Sequence, residues 1–218
     1  IDLLQLARRL WKNKLPSCAL ETLEFYLMGK IREEEWDIDS ELIPQTYFQY
    51  LQTGDPKALK KVFIHNQLDV LHTVALFTLI CDSIDYPPAA GYDQRIDYYA
   101  LAQLYLRQGD KDKAKCILSD LLDHNYLTGD IANALGMLYK KEGNITEAER
   151  YFAIASDLHH PDGMLEYAKL LEKRKAYAHA LEVSLKLLHW YLSRPLVNSK
   201  KILELEKRVK RLQRKFGD

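Results

Sequence analysis

One feature constrains the fold of this 218-residue chain more than any other: its second half repeats. The stretch Leu101-Ala102-Gln103-Leu104-Tyr105-Leu106-Arg107-Gln108-Gly109-Asp110 matches Leu135-Gly136-Met137-Leu138-Tyr139-Lys140-Lys141-Glu142-Gly143-Asn144 at an offset of 34 residues. At the same offset Ala114 pairs with Ala148, Leu118 with Phe152 and Leu121 with Ala155. A period near 34 with small residues at fixed places signals stacked helix–turn–helix units, each needing its neighbours to bury its apolar face. Ala102 and Gly136 are then expected where two helices of a unit approach closely. Gly109 and Gly143 are expected at left-handed turns that end the first helix. Tyr105 and Tyr139 are expected to fill the gap between units.

A third copy follows at an offset of 32, carrying Tyr167, Ala168, Leu171, Ala180 and Leu187. It departs twice, with Lys175 in place of the turn glycine and Ser184 in place of the large apolar residue. Beyond Pro195 a last helix is predicted from Ser199 to Phe216, with Ile202, Leu205, Val209, Leu212 and Phe216 on one face. The pattern resembles the tetratricopeptide repeat, and the middle copy, about residues 129–160, carries the family's signature positions most fully. That resemblance implies three antiparallel helix pairs over 95–192, a capping helix, and a groove that holds a protein partner.

Residues 1–86 do not repeat. Apolar residues at 3, 6, 7, 10 and 11 predict a helix. A second is predicted from Leu20 to Gly29, a third from Ile43 to Gly54, and a fourth from Pro56 to Cys81, with an acidic loop between Glu33 and Asp39. The segment Tyr86-Pro87-Pro88-Ala89-Ala90-Gly91-Tyr92 blocks helix continuation. A boundary is placed there, giving regions 1–86 and 92–218. The whole is expected to be mainly α.

Composition excludes several classes. Thirty-one basic and 31 acidic residues give no net charge, which argues against a general polyanion binder. The charge is uneven, because residues 193–218 hold nine basic and three acidic residues. Their basic helix is either a solvated cap or a strip for nucleic-acid phosphates. The apolar runs fall short of a membrane span, so no membrane association is expected. Nor does a signal segment open the chain, which lacks an initiator Met and has the character of a piece of a longer protein. Cys18, Cys81 and Cys116 are far apart, without a C-x-x-C, and are expected to be small buried residues in a reduced, cytoplasmic compartment. There is no Gly-rich phosphate loop, G-x-S-x-G or H-E-x-x-H.

The order of pieces over residues 1–82 resembles the C-terminal part of a ribonuclease H-like domain of the DnaQ-like exonuclease superfamily, in its YprB-like branch. The resembling stretches include Ala7-Arg8-Arg9-Leu10-Trp11, Leu15-Pro16-Ser17 with Leu20-Glu21-Thr22-Leu23-Glu24, Leu27-Met28-Gly29, and His65-Asn66-Gln67-Leu68-Asp69-Val70. The branch joins this domain to tetratricopeptide repeats. The resemblance implies the helical C-terminal portion of an α/β domain followed by an α-solenoid, and metal-assisted cleavage of nucleic acid, DNA or RNA. It implies Asp69 as a ligand of Mg²⁺ or Mn²⁺, and His65, one turn earlier, as the base that positions water. The family's other acidic motifs are not found before Asp69, so this chain alone is expected to be inactive. Two other readings stand beside it. One is a degenerate nuclease half with repeats that bind a protein. The other is a metal site of His65, Asp69 and His72 on one helix face.

Overall fold

A computed structural model describes residues 2–31, 37–85, 93–124, 126–194 and 199–217. Among these, every regular element is a helix, and the chain divides into two compact units, Ile1–Gln108 and Gly109–Asp218. The boundary expected at Pro87–Gly91, the break at Pro195 and the acidic run Glu33-Glu34-Glu35 lie outside the described residues.

In the first unit α1 spans Leu3–Trp11, with Asp2 as its N-cap accepting from the Leu4 amide. Asp2 therefore closes a helix end. Its inward face, Ala7, Leu10 and Trp11, is fully buried. The second helix starts as α2, Leu20–Leu23, then loosens into a π turn, Glu24–Met28, before Gly29 at φ +64°. α3 spans Ile43–Thr53 with Pro44 in its first turn and Gly54 at φ +70° beyond its end. α4 runs from Leu59 to Ile84, three residues later at each end than its pattern predicts. Pro56-Lys57-Ala58 form a turn instead of a first helical turn, because Leu59 and Lys60 amides bond back to Pro56 and Lys57 carbonyls.

α5, Tyr98–Gln108, is tied to this unit although its sequence belongs to the repeats. The Asp97 amide donates to the Leu10 carbonyl, Asn13 donates to the Asp97 carboxylate, and the Tyr105 hydroxyl donates to the Ile84 carbonyl. Arg95, held by Asp93, donates to the carbonyls of Tyr26 and Leu27 at the end of the π turn.

The second unit is two helix hairpins between α6 and α11. α6 (Lys111–Asp123) precedes α7 (Gly129–Lys141) and α8 (Ile145–Asp157), then α9 (Pro161–Lys173) and α10 (Tyr177–Leu192), and α11 (Ser199–Gly217) closes on α10. The small residue at 136 has a direct cause: a Cβ there would sit 2.7 Å from the Phe152 ring. Gly109 and Gly143 occupy equivalent turns at φ +88° and +82°. Lys175 takes the same left-handed turn at φ +63°, so the third copy keeps the geometry without glycine. Ser184, fully buried, satisfies its hydroxyl on the Ala180 carbonyl at 2.7 Å. Tyr139 stacks on Tyr151, with Lys115 over its ring.

Three expectations need correction. Cys81 and Cys116 are exposed, because each lies on a helix face turned from the core. Phe216 is 61% exposed, beyond the last buried turn of α11 at Leu212. α4 is long and apolar enough, by length and composition alone, to cross a membrane. Its polar residues break the apolar run in sequence, yet its outward face carries the exposed apolar residues Phe63, Val70, Val74 and Phe77 at spacings of seven, four and three, with Asn66 and Gln67 between the first two.

Candidate functional site

The three residues of interest on α4, His65, Asp69 and His72, fall at i, i+4 and i+7 and so share a helix side. Each finds a different surrounding. His65 is buried, and its Nδ1 lies 2.7 Å from an oxygen of Asp37, whose side chain is also buried. Its Nε2 lies 3.3 Å from Asp69 Oδ2 and 3.4 Å from Ser40 Oγ. Asp69 itself is 39% exposed.

Local sequence explains the framing. Asp39 caps a single 3₁₀ turn, Ser40–Leu42, by accepting from the Glu41 amide. That turn presents Ser40 to the ring and leaves Asp37 just outside it. The histidine is thus clamped from both nitrogens. With Nδ1–H donating to Asp37, the neutral ring offers Nε2 as an acceptor; the protonated ring donates to both carboxylates. Asp37 thereby fixes the orientation of the ring.

His72 belongs elsewhere. Its Nδ1 is 2.9 Å from Oε1 of Glu24, the first residue of the π turn, but out of line for a hydrogen bond. Glu24 is fully buried. The single-helix site of His65, Asp69 and His72 is therefore not assembled. Among the described residues no cluster of three or more His, Cys, Asp or Glu is arranged to hold a metal ion.

His65 and Asp69 open into a cavity of about 860 Å³, lined also by Glu21, Asp37, Asp39 and Lys61. Four carboxylates, Glu21, Asp37, Asp39 and Asp69, border it, and carboxylate oxygens are donors of the kind that suit Mg²⁺ or Mn²⁺, but Asp37 is held by His65, Asp39 caps the 3₁₀ turn, and the four do not converge on one point. Asp69 is the acid on α4 that faces this space. Sequence reasoning missed Asp37. It stands 28 residues from His65, and nothing in spacing or periodicity pairs them.

Two comparisons bear on this site. A family model of the RNase_H superfamily matches residues 1–81, the stretch that holds His65 and Asp69. Over 222 residues the chain is 30% identical to a Bacillus subtilis (strain 168) protein named Uncharacterized protein YprB, covering 99% of this chain and 52% of that one. The chain thus spans about half the length of the curated relative it matches.

Proposed function

We propose that this chain is the C-terminal part of a metal-dependent, DnaQ-like nuclease, a 3′–5′ exonuclease on DNA or RNA, extended by tetratricopeptide repeats. The observation that carries this reading is the placement of Asp69, on the cavity wall, within the segment that matches the RNase_H superfamily. Asp69 would contribute one carboxylate to a divalent-ion site, and the remaining ligands would come from chain that precedes this segment. When bound, the ion would supply Lewis acidity to the phosphodiester and an activated water. His65 would orient water through Nε2, with Asp37 holding the ring.

The outer stripe of α4 supports the same reading. Phe63, Val70 and Val74 are each more than half exposed on a helix whose other side is held by α1, α2 and α3. A sheet supplied by the preceding chain would cover that stripe. The relative, about twice as long, has room for it. The test is cleavage of a labelled single-stranded oligonucleotide by the full-length protein with Mn²⁺. Asp69→Asn should nearly abolish cleavage, and His65→Ala should slow it about a hundred- to ten-thousand-fold. Equal cleavage by wild type and Asp69→Asn would overturn the site. A full-length protein that never cleaves would leave the repeats as a protein-binding module on a degenerate nuclease half.

A further inference from the structure

The charge of α11 is divided by the helix into two sides with different fates. The helix carries eight basic and two acidic residues. On the side facing α9, three cations converge on one carboxylate: Glu172 lies 2.8 Å from Arg208, 2.9 Å from Arg211 and 3.4 Å from Lys215. That side is built into the fold. The adjoining outer side is not. Lys200, Lys207, Lys210 and Arg214 recur at spacings of seven, three and four, opposite the buried stripe of Ile202, Leu205, Val209 and Leu212. All four are exposed, and among the described residues none has an acidic partner. At 1.5 Å per residue they form a strip about 21 Å long. Leu203 is the one apolar residue between them, and Glu206 sits at the strip's edge.

We propose that this outer strip of α11 binds the phosphate backbone of a nucleic acid. Among the described residues, Lys200, Lys210 and Arg214 border no cavity, and Lys207 only edges one of about 400 Å³; a linear row of this kind matches evenly spaced charges better than it matches a peptide, which needs sites for side chains. The choice of nucleic acid over an acidic protein rests on the nuclease reading above, which puts a strand in reach of the same protein. The strip adds affinity without sequence preference, since phosphate contacts position a strand and do not read its bases.

The test is fluorescence anisotropy of a labelled single-stranded 30-mer with the full-length protein, in EDTA so that nothing is cleaved. Lys207→Gln/Lys210→Gln/Arg214→Gln should bind about a hundredfold more weakly at 0.1 M salt, and its log–log salt slope should fall by about 2, three lost phosphates at about 0.7 each. Lys207→Arg/Lys210→Arg/Arg214→Lys keeps the charge and should bind like wild type. Lys111→Gln/Lys141→Gln/Lys173→Gln removes equal charge elsewhere and should also bind like wild type. A loss under about tenfold in the strip variant, or an equal loss in the control, overturns the proposal and leaves the strip to solvent or an acidic protein. Because binding is read without metal or turnover, that failure leaves Asp69 untouched. Cleavage that survives Asp69→Asn leaves the strip untouched in turn.

Discussion

The two units of this chain differ in what they leave uncovered. The second, from Gly109, has a core packed by its own helices: Phe152, Leu135, Met164, Leu187 and Leu212 are all sealed. The first buries one side of α4 and leaves the other open, with Phe63 at 68% and Val74 at 61% exposed. Repeats supply each other's cover, so a run of them is closed wherever a neighbour or a cap is present. If α4 belongs to an α/β domain, as proposed above, a sheet would cover it; among the described residues every regular element is a helix. The exposed stripe and the half-length match to the relative fit the proposal that further chain covers the first unit, whereas the helices of the second cover one another.

The largest expected effect falls in the closed unit. Phe152→Ala removes a ring packed against Gly136 and should destabilise unit 2 by about 3–5 kcal/mol, seen as a lowered thermal midpoint. Phe63→Ala in the 218-residue chain should change stability by less than about 0.5 kcal/mol, because the ring is in water. The same substitution in the full-length protein should cost about 3–5 kcal/mol if a sheet covers α4. Equal, small effects in both proteins would break the comparison. Gly136→Ala comes next, at about 1–3 kcal/mol, since the new methyl must push the Phe152 ring.

A further effect is electrostatic. Burial pushes the Glu172 carboxyl up, but hydrogen bonds and charge from Arg211, with Arg208 and Lys215, outweigh it and hold the group below its ordinary range. A lowered folded value means stability that is present above the unfolded carboxyl's pKa of about 4.5 and is lost as pH falls through the folded value. Glu172→Gln should cost about 1–3 kcal/mol at pH 7 and little at pH 3, measured by urea unfolding at each pH. A cost that does not change with pH would mean that packing, and not charge, docks α11.

Much of this was legible in the sequence, and the gaps have physical causes. The period of 34 placed Gly136, Gly109 and Gly143 correctly, because each answers a local steric demand. The starts of α1, α3 and α11 followed from apolar spacing and breakers. The π turn after Leu23 was not legible, since a one-residue widening leaves no mark on helical periodicity. Nor was the left-handed turn at Lys175, where the Lys175 and Ala176 amides close the helix end on the Glu172 and Leu171 carbonyls. At the candidate site, His65 and Asp69 stand one turn apart and could be paired by spacing. Asp37 reaches His65 only through the tertiary course of the chain, and long-range contacts of that kind carry no local signature.

The account is tested most directly by isothermal titration calorimetry with Mn²⁺ on three proteins: the full-length protein, its Asp69→Asn variant, and the 218-residue chain. The account predicts that the full-length protein binds Mn²⁺, that Asp69→Asn weakens binding at least about tenfold, and that the chain alone binds weakly or not at all. Binding by the 218-residue chain as tight as that of the full-length protein, or full-length binding unmoved by Asp69→Asn, would contradict it.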